Sequence, residues 1–456
     1  SGDSEIEVSK PVTIKPKGAN AVLDADNRCR IFKITGSGKL TLQKDSSNKI
    51  TLKKGKADKG GAVLVETGRV FTAHKVTVED CKATGSGGGA VYVENAGEFT
   101  AYDLNISGCK AVGSGGAIFT ENNTTVTVSN GELSSCTAGG NGGAIVNGGA
   151  LNISSITFES NEANGVNSYG GAIYSDGTSS VTASGCTFGG TEDTKGNKAQ
   201  NGGAAAIVGN SENAVVFTSC IFQKNTAAGS HGGAIFAERA ITVKGTSSNK
   251  TKILSNKIGG ASGKGGGIYS SAKLYIEYAE ISGNTVTGGS GGGIYSTGIL
   301  NIINSTIGGT GAYSGNTANG NGGGIYADAK SVCTIKDSDI VGNTANGMGG
   351  GLFVSSDGTE KGECTITGGT FKKNEATGSG GGAIYCFGVL VIKDCTIGGT
   401  GVGDGNTARG DGGGGIFIYN GSCTLTSTIV TGNAVSGTTA KGAGVFLYSS
   451  LNNPIF

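Results

Sequence analysis

Fourteen times along this chain a Gly-Gly pair leads, through Ala or Gly, into an aliphatic residue that an aromatic usually follows. The aliphatic members are Val63, Val91, Ile118, Ile145, Ile173, Ile207, Ile235, Ile268, Ile294, Ile325, Leu352, Ile384, Ile416 and Val445. Their mean spacing is (445 − 63)/13, about 29 residues, and the longer gaps carry insertions such as Gly189-Gly190-Thr191 and Gly308-Gly309-Thr310. A unit this short cannot enclose a core of its own, so the copies must stack on one another. Composition agrees: 89 Gly, 3 Pro and no Trp among 456 residues suit many short strands joined by tight turns. The glycines are clumped, which excludes collagen. The recurring apolar residues argue against disorder.

Each unit holds a second marker, an apolar residue followed two residues later by x-Asn. It occurs as Phe158…Asn161, Phe222…Asn225, Ile281…Asn284, Ile340…Asn343, Phe371…Asn374 and Val430…Asn433, with Asn197, Asn316 and Asn406 in the insertion-bearing copies. Earlier copies place cysteine there, at Cys81, Cys109 and Cys136. Short alternating runs such as Leu151-Asn152-Ile153 lie upstream, so one unit reads as three short strands with turns between. The fold expected is all-β, a single right-handed parallel β-helix of about 14 coils, each of roughly 26–33 residues. Residues 1–50 form its lead-in or cap, 51–448 the repeats and 449–456 the end. The Asn and Cys positions form a structural ladder, since stacked amides hydrogen-bond from coil to coil.

The alternation of the two markers resembles the polymorphic outer membrane protein repeats of chlamydial and related bacterial surface proteins. The nearest matches are Phe158-Glu-Ser-Asn161 before Gly170-Gly-Ala-Ile173, Phe222-Gln-Lys-Asn225 before Gly232-Gly-Ala-Ile235, and Phe371-Lys-Lys-Asn374 before Gly381-Gly-Gly-Ala-Ile384. The resemblance implies an extracellular or bacterial cell-surface β-helix that serves in adhesion, its signal peptide removed. Autotransporter relatives add a membrane barrel of alternating strands of about ten residues. Nothing after the last repeat here has that pattern.

Net charge is +1, so no global field favours nucleic acid or membrane. The first sixty residues are locally basic, thirteen Lys or Arg against seven Asp or Glu, a net of 13 − 7 = +6. No apolar stretch approaches the ~20 residues of a membrane helix.

Eleven cysteines is an odd number. Cys186, Cys220 and Cys395 share a place with Ser305 and Ser338, and Cys333, Cys364 and Cys423 share one with Leu151, Leu274 and Leu300. Thiols that alternate with Ser and Leu are expected to be small, buried and free. Metal binding has little support: His74 and His231 are far apart, no Cys-x-x-Cys pair exists, and Asp404 and Asp411 are isolated. No cofactor is expected.

Many β-helices degrade polysaccharides, and glycoside hydrolysis needs two carboxylates at a set separation. Here Glu94, Glu121, Asp176, Glu238 and Asp328 are spread over many coils. No catalytic residue stands out, and a lyase or glycoside hydrolase is the alternative to a non-enzymatic adhesin or surface-layer or filament component.

Three surfaces are candidates for binding a host-cell protein or glycan, or a second copy. Strand alternation sends the aliphatic residue inward and the aromatic outward. Tyr92, Phe119, Tyr174, Phe236, Tyr269, Tyr295, Tyr326, Phe353, Tyr385, Phe417 and Phe446 would then form an exposed stripe, suited to sugar rings or another sheet. Arg409-Gly410-Asp411 resembles an integrin-recognition tripeptide. The coil ends, with Leu451–Phe456 at one of them, would allow head-to-tail stacking.

Overall fold

The computed structural model describes residues 4–45, 47–311, 314–437 and 440–449. It is a parallel β-solenoid, and the one helical segment among the described residues is a single 3₁₀ turn at Asp193–Lys195. The chain divides into two compact units, Ser1–Ala228 and Gly229–Phe456. Each contributes eight strands to the sheet that bears the Gly-Gly-x-aliphatic marker.

The turn at residues 325–345 shows the plan for the second unit. Ile325–Ala327 lies in the first sheet, Val332–Lys336 and Asp339–Val341 form two limbs of the second, and Thr344–Ala345 belongs to the third. The next turn repeats the plan in register, Ile325 against Leu352, Ile335 against Ile366 and Ala345 against Ala376. In the first unit the two limbs fuse into ten-residue strands at Val70–Glu79, Glu98–Ser107, Thr125–Ser134 and Ala150–Glu159. Between the limbs one residue takes a left-handed backbone in turn after turn: Lys75, Asp103, Asn130 and Ser155 in the first unit, Asn304, Asp337 and Asp394 in the second. That residue turns the chain about the core while each limb keeps its own alternation of inward and outward side chains.

The Gly-Gly pair has two separate causes. Gly170 has φ +69°, the left-handed region. Its neighbour Gly171 must be bare because a Cβ there would stand 2.1 Å from the carbonyl oxygen of Gly203 on the next turn. Gly322 and Gly323 repeat the arrangement, with φ +65° and a clash at 2.5 Å with the Gly350 oxygen. Two glycines therefore bring the chain back into the first sheet and let consecutive turns approach.

Every aliphatic marker from Val63 to Ile416 faces the core and is buried. In the first unit the core adds a phenylalanine stack: Phe188 lies 4.8 Å from Phe158 and 4.5 Å from Phe222, both rings parallel to it, with Phe217 edge-on. In the second unit the same column is mostly isoleucine, as at Ile281, Ile307, Ile340 and Ile397, with Phe371 among them.

The solenoid has about sixteen turns where fourteen were expected from the repeats. The first fifty residues supply the difference, because Ile6–Val8 pairs with Phe32–Ile34 and Pro11–Ile14 with Lys39–Leu42 in the sheets that the later turns continue. These turns lack the Gly-Gly marker, so nothing in the repeat pattern reveals them. Leu451–Phe456 lie outside the described residues.

Candidate functional site

The aromatic stripe forms, but not as an open surface. Its residues point away from the core, while Tyr92, Phe236, Tyr295, Phe353, Tyr385 and Phe417 are each no more than 5% exposed. Phe119, Tyr174, Tyr269, Tyr326 and Phe446 are half-buried. The cause is the register that aligns them. From Phe236 to Phe417 the rings lie over those of the adjacent turns, at 4.4 Å for Tyr295 and Tyr326, 4.9 Å for Tyr326 and Phe353 and 4.7 Å for Tyr385 and Phe417, while Phe446 meets Phe417 edge-on. A ring face covered by another ring cannot receive a sugar; the stack offers its edges. The loops also crowd it, since a Cβ on Gly380 would meet the Phe417 ring at 2.5 Å. In the first unit the column is broken, with Val146 and Ala206 in register with Tyr174.

The phenols are tied at their outer ends. Tyr92 donates to Glu121 Oε1 at 2.7 Å and Tyr295 to Asp328 Oδ2 at 3.1 Å. Burial, reinforced by these carboxylates, pushes both phenols well above their usual range. Lys59 lies over the Tyr92 ring and 3.6 Å from both Glu94 and Glu121. Glu94 and Glu121 thus share a single ammonium group.

The asparagine column is a continuous hydrogen-bonded ladder within each unit. Asn343 is fully buried and all its amide capacity is used. Its Nδ2 donates to the Ile307 carbonyl at 2.9 Å and to Asn374 Oδ1 at 3.0 Å, while its own Oδ1 accepts from the backbone N–H and Nδ2 of Asn316. Asn161, Asn197 and Asn225 are linked in the same way in the first unit, and Asn284, Asn316, Asn374, Asn406 and Asn433 in the second. The ladder has a further member, Asn256, which donates to Asn284 Oδ1 at 2.9 Å. Its signal was present in the sequence as Ile253-Leu254-Ser255-Asn256. In Cys81, Cys109 and Cys136 sulfur replaces the amide: Cys81 Sγ accepts the Gly55 N–H at 3.3 Å, and the Cys136 N–H begins the amide ladder by donating to Asn161.

All eleven cysteines are free thiols, and only Cys29 and Cys423 are not fully buried. Burial raises the Cys109 thiol well above its usual value, Cys386 to about 12 and Cys423 to about 11. Among the described residues no group of three or more His, Cys, Asp or Glu is placed to hold a metal ion. Asp404 lies within 3.7 Å of Lys372 and 3.5 Å of Lys373. In the Arg409-Gly410-Asp411 segment Arg409 is bound to Glu375, and Gly410 N–H donates to the Ser379 carbonyl of the preceding turn at 3.0 Å. The tripeptide is thus fastened along the stacked loops, and its guanidinium is already engaged.

An open cleft of about 590 Å³ lies among the first turns, beside Ile6, Val22, Asp26 and Arg30, and a smaller one of about 390 Å³ lies at the limb junction of the early turns, lined by Lys49, Lys75, Thr77, Asp103, Asn105 and Gly131. Outward positions beside it differ in character from turn to turn, whereas inward positions do not.

The segment from the Ser155 corner through Phe158, Asn161 and Gly170-Gly171 to Tyr174, and its counterpart from Ser219 to Phe236, match a family model. The matched residues are 155–176 and 219–238, and the family is the Chlamydia polymorphic membrane protein repeat. The chain carries this repeat. Both matched segments contain the two markers, and the geometry shows why these occur together: the Gly-Gly return and the Asn corner close one turn of the solenoid. No curated protein matches the chain. A solved structure, the cryo-EM structure of the Vag8–C1 inhibitor complex, aligns over 98% of this chain and 96% of that chain at 12% identity, with a TM-score of 0.29. Among the described residues no helix is long and apolar enough to cross a membrane.

Proposed function

We propose that the chain is a bacterial cell-surface scaffold that acts by binding, as an adhesin or a component of a surface layer, with a host protein or glycan as partner. One observation carries this reading. The residues that define the polymorphic membrane protein repeat are those that build the turn: the returning glycines, the inward aliphatic, the inward Phe or Ile and the corner Asn. Outward residues are free of that duty and change from turn to turn, which suits a long surface that presents different side chains at successive levels. The aromatic stack belongs to the scaffold by this account, its outer edges and hydroxyls contributing at most to a contact surface.

The test is to offer the intact chain to host-cell proteins and to acidic and neutral glycans, with and without calcium, and to follow both retention and product release. Saturable retention with the partner unchanged is the expected result. Turnover of a glycan, lost on substitution of a single carboxylate, would replace this reading by that of a polysaccharide-degrading enzyme.

A further inference from the structure

The third sheet carries a feature that neither the fold nor the repeat requires. Its strands begin with an outward residue followed by an inward one, Ala83 and Ala111 being buried and Ala57 half-buried. In three consecutive turns the outward residue is lysine: Lys56 is in register with Lys82, and Lys82 with Lys110. Turns of a parallel sheet are about 4.8 Å apart, so three ammonium-bearing side chains rise one above another at that interval. All three are exposed, and none has an ion-pair partner among the described residues. The neighbouring acids are occupied, Asp58 by Arg30 and both Glu94 and Glu121 by Lys59; Asp80, at the corner before Lys82, forms no ion pair with it.

Like charges directly opposite on adjacent strands repel and weaken the sheet. The column does not need them. Later turns of the same column hold Thr137, Glu162 and Lys198 in the first unit and Lys257, Thr285, Thr317, Thr344 and Glu375 in the second, with no second run of adjacent lysines among them. Lysine is therefore a costly choice where threonine fits, and an anion along the column would offset the repulsion.

We propose that Lys56, Lys82 and Lys110 form a binding track for a linear anionic polysaccharide, one that bears a sulfate or carboxylate on successive sugars. The inference rests on the surface-binding reading above and names its ligand class. A pyranose ring advances a glycan chain by a length comparable to the interval between turns, so successive anions meet successive lysines along the solenoid axis. Lysine ammonium groups serve as point charges with mobile stems, which suits a polymer without one fixed geometry.

The experiment measures binding of the intact chain to a heparin-type sulfated glycan, to polygalacturonate and to duplex DNA of similar charge, over a range of salt. The variant replaces Lys56→Thr, Lys82→Thr and Lys110→Thr together, residues that the same column already accommodates. A control of equal charge replaces the exposed Lys330→Thr, Lys361→Thr and Lys441→Thr. The expected result is salt-sensitive binding of one or both glycans, weakened roughly tenfold or more in the column variant and little changed in the control. The two glycan arms separate sulfate from carboxylate preference. The proposal is overturned if neither glycan binds at low salt, if the control loses as much as the column variant, or if DNA binds as tightly with the same lysine dependence. Host-cell retention of the column variant separates the two readings. Wild-type retention without glycan binding removes the track and leaves the surface scaffold, whereas absence of retention by the wild-type chain removes both.

Discussion

The early turns and the late turns solve the same corner with different chemistry. From residue 81 to 136 the corner holds a thiol, and lysine or threonine follows it; from Asn256 to Asn433 it holds an amide, most often followed by threonine. A buried amide has two donors and two acceptor sites, and in the late turns all are used by the turns above and below. A thiol has one weak donor and a weak acceptor, so the early corners are held by packing more than by hydrogen bonds. The lesson is that the fold needs a small side chain at this corner, while the interlocking of turns depends on its being asparagine. The phenylalanine stack about Phe188 belongs to the turns of the first unit whose corners are already Asn161, Asn197 and Asn225, whereas the thiol turns place Val78, Ile106 and Leu133 in that column.

The amide corners depend on residues such as Asn343, which bonds to the turns on both sides. Asn343→Leu would strand the Asn316 amide groups and the Ile307 carbonyl in a buried site. We expect a loss of about 4 kcal/mol in the late turns, read as a lowered urea midpoint with local loss of amide protection. In the first unit Phe188→Ala should cost about 3–5 kcal/mol by opening the middle of the stack, measured in the same way. A change under about 1 kcal/mol at either site would mean that its column is dispensable.

The thiols give a pH test with a definite sign. Cys386 and Cys423 titrate near 12 and 11 in the fold because burial disfavours the thiolate. In the unfolded chain a thiol titrates near 8.5. Between those values the unfolded state binds fewer protons, so stability must fall as pH rises from about 8 toward 11. Urea midpoints should decline across that window and be flat below it. Replacing both by serine should flatten part of the decline. The smallest expected effect is that of Cys109→Asn, which offers the early corner an amide that reaches the Val78 carbonyl but meets only sulfur at Cys136. We expect a change within about 1 kcal/mol, and a gain once Cys81→Asn and Cys136→Asn complete the column.

Much of the fold was legible because the repeat is the packing. Alternation about Ile173 and Ile325 sets the inward face, and the Asn column follows from its spacing. The two N-terminal turns were hidden because Phe32 and Ile34 enter the first sheet without a Gly-Gly return. The site was harder to read. Alternation correctly turned Tyr295 and Tyr326 outward, but it does not report that register lays one ring on the next and so closes the faces meant for a ligand. The lysine column had the opposite difficulty. Lys56, Lys82 and Lys110 are 26 and 28 residues apart, and only the register of the third sheet makes them neighbours.

Inward repeat residues build the solenoid, and the proposed binding falls to outward ones. A substitution scan of the intact chain would test this most directly, with resistance to proteolysis and retention on host cells read for every variant. The account predicts two classes: inward changes such as those at Ile325 or Asn343 lose both properties together, while a localised set of outward changes, the lysine column among them, loses retention with proteolytic resistance intact. Retention that survives every outward substitution, or that depends only on inward positions, would contradict it.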